Sequence, residues 1–298
     1  MSGRTRNILK DLLICLRVPH WIKNLFVVLP LVFGHKLLEI SMDRRVLMAF
    51  MWFCLASSTG YMVNDLLDYQ RDRVHQTKRF RPIAAGRVSP RAASLVIAIL
   101  GALSLAGAWR LDERFGLIVI TYLVLSVLYT NVLKHLPIID VICLGLLFTL
   151  RIVAGGVVAD VALSPWIILM TGLLALFLGF AKRRQELRLL GKHARAHRGV
   201  LVHYSQHFLD QMILIVTSSL VVGYALYTMD PRTTAGLGSP RLMVSIPFVY
   251  YGIFRYLYLI YRRRNDGDPT GLLFIDRPLQ INLTLWLVTC SVMIYGFR

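Results

Sequence analysis

Nine stretches of roughly 18–22 apolar residues divide this chain, running approximately 22–38, 46–64, 92–109, 115–133, 138–158, 165–181, 212–229, 242–260 and 279–296. Each is about the length a helix needs to cross ~30 Å of hydrocarbon. Backbone polar groups must be paired internally in lipid, so such a pattern predicts an all-α, polytopic membrane protein of nine transmembrane helices. The first run lacks a small-x-small cleavage site and flows into a further span, so no cleavable signal peptide is expected.

Charge tests that reading. Of 298 residues 56% are hydrophobic, yet Lys and Arg number 34 against 16 Asp and Glu, a net +18. With the N-terminus inside, the internal segments 1–20, 67–91, 131–137, 182–210 and 262–277 carry 23 of the basic residues and the external segments 8. The positive-inside rule therefore puts the N-terminus and these loops in the cytoplasm, which for a bacterial cell means the inner membrane. The basic clusters hug span ends, which points to anionic lipids and substrates and away from nucleic acid. Cys15, Cys54, Cys143 and Cys290 are scattered without a Cys-x-x-Cys spacing and read as small buried hydrophobes. Oligomeric state is left open, a homo-oligomer included.

Chemistry concentrates after the second span, in Asn64-Asp65-Leu66-Leu67-Asp68-Tyr69-Gln70-Arg71-Asp72. At about 100° per residue, Asp65, Asp68 and Asp72 fall within about 60° of one another on a helix. Like charges on one stripe repel. A divalent cation bound through oxygen removes that repulsion, and Mg²⁺ commonly joins a few carboxylates to a diphosphate. The basic run Lys78-Arg79-Phe80-Arg81-Pro82 follows, suited to the same anion. A solvated acidic helix end and topology-setting cations are the alternatives.

Two long cytoplasmic loops, 65–91 and 182–210, stand at corresponding places after spans two and six, a weak hint of duplication and of a shared cavity. The second opens Lys182-Arg183-Arg184-Gln185-Glu186-Leu187 and reads as a basic amphipathic helix lying on headgroups. The pairs His193/His197 and His203/His207 have i, i+4 spacing but lack the Glu of a His-Glu-x-x-His site, and headgroup contact explains them better. Trp52, Trp109, Trp166 and Trp286 read as interface anchors or lipid-facing bulk. Arg151 falls mid-span, where a charge is expensive and faces a cavity or an ion-pair partner; Asp140 is too far along the helix to supply that partner.

Asn64-Asp65-x-x-Asp68-x-x-x-Asp72 followed by Arg81-Pro82-x-x-x-Gly86 resembles the first motif of the UbiA-type intramembrane prenyltransferase superfamily, whose helices surround a central cavity. Further stretches are similar to its decaprenyl-phosphate phosphoribosyltransferase branch. These are Pro19-x-Trp21-x-Lys23-Asn24, Thr77 to Gly86, Leu133-Lys134-His135, Arg151-x-x-Ala154-Gly155-Gly156 and Lys182-Arg183-x-x-Glu186-Leu187. The resemblance implies one catalytic transmembrane domain over 1–298, capped by loops 65–91 and 182–210. It implies transfer of 5-phosphoribose from phosphoribosyl pyrophosphate to a polyprenyl phosphate, supplying an activated pentose for cell-envelope glycans. It makes Asp65, Asp68 and Asp72 ligands of Mg²⁺, with Mn²⁺ as a substitute, and Asn64 their orienting neighbour. Lys78, Arg79, Arg81, Lys182, Arg183 and Glu186 become candidates for the sugar diphosphate. Lys23, Asn24, Lys134 and Arg151 become candidates for the lipid phosphate, with interfacial snorkelling the alternative for Lys23 and Lys134. One departure matters. Superfamily members carry a second Asp-x-x-x-Asp stripe after span six, where this chain has one carboxylate, Glu186, among cations. That disfavours the alternative, an aromatic prenyltransferase using prenyl diphosphate. A transporter, the third class, has no need of the Asp stripe beside Arg-Pro.

Overall fold

The computed structural model describes residues 8–34, 40–74, 77–190, 199–231, 233–234, 240–262 and 275–295. No strand occurs among them. The chain divides into two compact units, Met1–Lys134 with Leu147–Leu163, and His135–Leu146 with Ser164–Arg298.

In the first unit, α1 (Ile8–Leu16), a 3₁₀ segment (Val18–Val27) and α2 (Leu29–Phe33) form a broken entry to the membrane. Together they make an apolar span over Lys10–Leu31, starting earlier than the expected 22–38. Two features explain the break. Arg17 is left-handed (φ 53°, ψ 45°), and Pro19 and Pro30 each remove a backbone donor. Next come α3 (Ile40–Leu67), α4 (Tyr69–Arg73), α5 (Pro90–Leu111) and α6 (Glu113–Asn131). Ser89 caps α5 by accepting from the Ala92 amide, with Pro90 pre-set in the first turn. Asp112 ends α5 and caps α6, accepting from the Arg114 and Phe115 amides. The faces of α5 that point outward are leucine and isoleucine (Leu95, Ile99, Leu103), as lipid requires.

Helix α7 (Ile139–Val158) has its first residues in the second unit and the remainder in the first. The second unit continues with α8 (Pro165–Leu190), α9 (Gln206–Met229), α10 (Ile246–Arg262) and α11 (Arg277–Tyr295). Its core joins Val141 with Phe177 and Phe180 of α8, Leu209 and Ile213 of α9, and Tyr256 and Leu259 of α10. Ser205 caps α9 through the Phe208 amide.

By length and composition, eight helices among the described residues can cross a membrane. The ninth expected span, 279–296, corresponds to α11, a 19-residue helix not counted among the eight. The expected surface helix at Lys182 is corrected: α8 runs unbroken to Leu190, so Lys182–Leu187 is the last part of the span-six helix. His203 and His207 sit on different elements, since the 3₁₀ turn Gly199–His203 ends before α9 begins, so their spacing is not a helical one. His193, His197 and most of the 262–277 loop lie outside the described residues. All four cysteines are buried and free, as expected.

Close backbone approach in the first unit rests on Gly155. A Cβ there would stand 2.0 Å from the Val27 carbonyl oxygen, which is backbone and cannot rotate away. Gly86 is different: its φ is +69° and open space surrounds it. Gly155→Ala is therefore expected to destabilise by about 1–3 kcal/mol through overpacking. Gly86→Ala is expected to cost about 1–2 kcal/mol through backbone strain alone. Thermal unfolding of the detergent-solubilised variants checks both, and a Gly155→Ala melt matching wild type would refute the close contact.

Candidate active site

Asp65 closes the long helix α3, Asp68 sits at the kink between α3 and α4, and Asp72 lies in α4. The kink does not break the stripe. The Asp68 amide still donates to the Asn64 carbonyl (3.0 Å) and the Asp72 amide to the Asp68 carbonyl (2.8 Å), so helical spacing survives across it. Asp65 and Asp72 are buried, at 4% and 3% exposure, and Asp68 is half-buried. Asn64, half-buried, directly precedes Asp65 at this end of α3.

Three cations meet these acids. Arg81 Nη1 donates to both Asp65 Oδ1 (2.9 Å) and Asp72 Oδ2 (2.7 Å). Lys134 Nζ, at the end of the first unit's main segment, donates to Asp68 Oδ2 at 2.7 Å. Arg17 Nη2 donates to the same Asp65 oxygen as Arg81, at 2.5 Å, with its guanidinium 5.0 Å from the Tyr61 ring centroid. Arg17 escaped the sequence reading because nothing in its spacing ties it to a residue 48 positions later.

The turn that aims Arg81 follows from its motif. Pro82 accepts from the Arg87 and Val88 amides, and Gly86 takes the left-handed angle that reverses the chain. Arg87 ties the turn to α1 through Asp11 (2.8 Å) and bonds the Phe80 carbonyl, while Arg73 bonds the Ala84 carbonyl. Lys78 and Arg79 lie on the short 3₁₀ turn Lys78–Phe80; Arg79 is exposed against the Phe80 ring, and Lys78 is half-buried.

A second buried group in this unit surrounds Arg151, which is 3% exposed. Its Nε donates to Asn24 Oδ1 (2.8 Å), Nη2 to the Tyr122 hydroxyl (2.9 Å) and Nη1 to the Leu147 carbonyl (2.6 Å). The rings of Phe53, Tyr122 and Phe148 lie within 5.5 Å of the guanidinium carbon. Among the described residues no carboxylate pairs with it, and neutral acceptors and ring faces surround the charge. Asn24 in turn donates to Ser57 Oγ (3.0 Å) and Cys54 Sγ (3.3 Å) of α3. Trp21 donates to Ser58, which donates to the Leu16 carbonyl. The 3₁₀ segment is thus sewn to the helix that carries Asp65, with Lys23 half-buried on it.

The second unit holds the other predicted residues. Arg183 is 1% exposed; its Nε donates to Asp140 Oδ2 and its Nη1 to Glu186 Oε2, each at 2.7 Å. The Tyr204 hydroxyl donates to Asp140 Oδ1 (2.7 Å) and accepts from the Ile138 amide (2.6 Å). Burial and the Asp140 carboxylate push the Tyr204 phenol upward, so it stays protonated throughout the physiological range. Lys182 is half-buried one residue before Arg183. Asp140→Ala is expected to cost up to about 3–5 kcal/mol, the scale of breaking a buried pair, because it leaves Arg183 with Glu186 but without its fully buried carboxylate. The double variant Asp140→Leu with Arg183→Met is expected to recover most of that loss. Thermal melts check the pair, and a double variant no better than Asp140→Ala would count against the ion pair as the cause.

Comparison with known proteins places these features in a family. The UbiA prenyltransferase family model matches residues 26–277. The chain is 32% identical over 292 residues to a decaprenyl-phosphate phosphoribosyltransferase of Mycobacterium tuberculosis, covering 97% of this chain and 95% of that one. It is 32% identical over 305 residues to the enzyme of the same name in Mycolicibacterium smegmatis, covering 99% and 95%. Among solved structures, a UbiA homolog from Archaeoglobus fulgidus bound to GPP and Mg²⁺ shares the fold, with a TM-score of 0.70, 20% identity and coverage of 95% of this chain and 99% of that one. With its apolar spanning helices and this match over most of its length, the chain is an integral membrane protein that belongs to the UbiA prenyltransferase family.

Proposed function

We propose that this protein transfers 5-phosphoribose from phosphoribosyl pyrophosphate to a polyprenyl phosphate, releasing pyrophosphate. The observation that carries the reading is the near-full-length likeness to decaprenyl-phosphate phosphoribosyltransferases, spread over both compact units. The product would be an activated pentose lipid for cell-envelope glycans. The charge asymmetry of the loops supports an inner-membrane location with the Asp stripe on the cytoplasmic side, where a soluble sugar diphosphate is available.

The first unit offers the chemistry. No three acid, histidine or cysteine side chains among the described residues converge as a metal cage. Mg²⁺ does not need one: it is usually held by one or two carboxylates together with substrate phosphates. Asp65 and Asp72, close enough to share one guanidinium nitrogen, fit that requirement, with Asp68 beside them. A divalent ion there, Mg²⁺ or Mn²⁺, supplies charge neutralisation to the leaving pyrophosphate.

The chain's own residues do the rest. Arg81 and Lys134 would grip phosphate oxygens, with Lys78 and Arg79 guiding the anion toward the turn. The buried carboxylates oppose the positive charge that develops at the anomeric carbon. The acceptor phosphate is already an anion, so no general base is required and positioning dominates. Its oxygen bonds to the anomeric carbon as the carbon–pyrophosphate oxygen bond breaks, the pair leaving with pyrophosphate, and the centre inverts. Lys23, half-buried on the entry segment, would meet the lipid phosphate, and Asn24, buried and bonded to Ser57, Cys54 and Arg151, would hold that segment in place.

Purified protein in detergent with Mg²⁺, polyprenyl phosphate and labelled phosphoribosyl pyrophosphate is expected to move label into the organic phase, and EDTA to abolish it. Asp72→Asn is expected to lower kcat/KM by about 10²–10³-fold, the scale of losing one preorganised electrostatic group, with its melt near wild type. Transfer from a prenyl diphosphate to an aromatic acceptor, with none from phosphoribosyl pyrophosphate, would replace this reading with the family's prenylating chemistry.

A further inference from the structure

Asp65 Oδ1 receives two guanidinium groups, and only one of them belongs to the diphosphate motif. Arg81 comes from the turn after α4; Arg17 comes from the break between α1 and the 3₁₀ segment, on a backbone angle that L-residues rarely adopt. The left-handed angle, the Tyr61 ring beneath the guanidinium and the Asp11–Arg87 pair behind α1 together fix Arg17 over the carboxylate. Strain held this way beside a polar cluster is an observation that asks for a functional reason.

We propose that Arg17 is a positioning cation that occupies the metal's place on Asp65 until the diphosphate arrives, and so makes metal and diphosphate bind together. The inference rests on the reading of this cluster as a metal–diphosphate site. Its logic is charge balance. Three carboxylates (Asp65, Asp68, Asp72) face three cations (Arg17, Arg81, Lys134), so the closed cluster is neutral. A divalent ion entering alone must push cations off the carboxylates with no anion to receive them. A diphosphate entering alone must compete with buried carboxylates for the same guanidinium groups. When both enter, the carboxylates pass to the metal and the cations to the phosphates, and every charge keeps a partner. Arg17 keeps 20% of its side chain exposed, with its guanidinium 5.0 Å from the Tyr61 ring centroid, so part of it is open to an incoming anion.

The inference separates Arg17 from a merely structural residue by sign. Removing its charge relieves competition for Asp65 but deletes a phosphate ligand, so metal affinity and anion affinity must move in opposite directions. The experiment uses the full-length protein in detergent, with Mn²⁺ as the probe followed by electron paramagnetic resonance and inorganic pyrophosphate by calorimetry. Wild type is expected to hold Mn²⁺ weakly alone and at least about fivefold more tightly with saturating pyrophosphate, the lower end of ordinary coupling between sites. Arg17→Gln is expected to bind Mn²⁺ alone about fivefold more tightly than wild type. In the presence of Mn²⁺ it is expected to bind pyrophosphate about tenfold more weakly, the loss of one charge-assisted hydrogen bond.

Arg17→Lys covers the case in which the glutamine variant does not fold. Keeping the charge but losing the fork, it should bind Mn²⁺ alone as wild type does and pyrophosphate more weakly. Affinities that fall together or do not move in Arg17→Gln, or Mn²⁺ that tightens alone in Arg17→Lys, would overturn the role of Arg17. A wild-type protein that takes up neither Mn²⁺ nor pyrophosphate would instead sink the reading of the cluster itself.

Discussion

A carboxylate at the buried end of a membrane helix is tolerable only if something neutralises it, and in this protein that demand falls on Asp65. The group sits where α3 reaches the kink, largely out of solvent, and two guanidinium groups from sequence-distant segments converge on one of its oxygens. Burying a charge without a partner is far more expensive than any single packing contact, so the segments that bring those guanidinium groups are fixed in place by the acid. The broken entry of α1 and the 3₁₀ segment, which would otherwise look like a poor transmembrane helix, becomes intelligible as the path that delivers Arg17. The turn from Arg81 to Gly86 becomes intelligible as the path that delivers Arg81.

The same problem is solved differently for the two deeply buried arginines. Arg183 is matched by carboxylates, Asp140 and Glu186, and a tyrosine completes the Asp140 side. Arg151 is held by an amide oxygen, a phenol, a backbone carbonyl and three ring faces. A guanidinium tolerates such a setting better than an ammonium would, because its charge is delocalised and weakly hydrated. The consequence is structural economy: Asn24 serves as the joint between Arg151 and α3, and the entry segment is tied to the helix that carries Asp65 without another ion pair.

How much of this could be read in the sequence depended on whether the determining contacts were local. Apolar length gave the helices, because one span's hydrophobicity is a property of consecutive residues. The Asp stripe was legible for the same reason, since helical spacing is a local fact; the left-handed angle of Gly86 appeared only in the fold. The first span was misplaced because apolar length does not register the left-handed break at Arg17, and the prolines were not weighed against it. Lys182–Leu187 looked like a surface helix because its composition is basic. In the fold, Asp140, 43 residues upstream, buries Arg183 and carries α8 onward. Arg17 and Tyr204 were silent for a matching reason, since each acts on a carboxylate 48 or 64 positions away. Long-range pairing of polar groups leaves no period in a sequence.

The second unit bears on substrate class by what its acids are already doing. A prenyl diphosphate held by two metal clusters needs a second set of carboxylates able to turn toward a metal. Here Asp140 holds both Arg183 and Tyr204, and Glu186 holds Arg183 as well, so turning Asp140 toward a metal would cost the guanidinium its fully buried partner. The acids after span six are therefore engaged in internal balance, while Asp65, Asp68 and Asp72 belong to the first unit. This division supports a donor whose diphosphate is held by one metal and whose remaining charge is met by cations, as a phosphorylated sugar diphosphate would be. The two arginine clusters differ in exposure: Arg17 and Arg81 keep 20% and 25% of their side-chain surface exposed beside Asp65, whereas Arg183, at 1%, is closed in with Asp140 and Glu186.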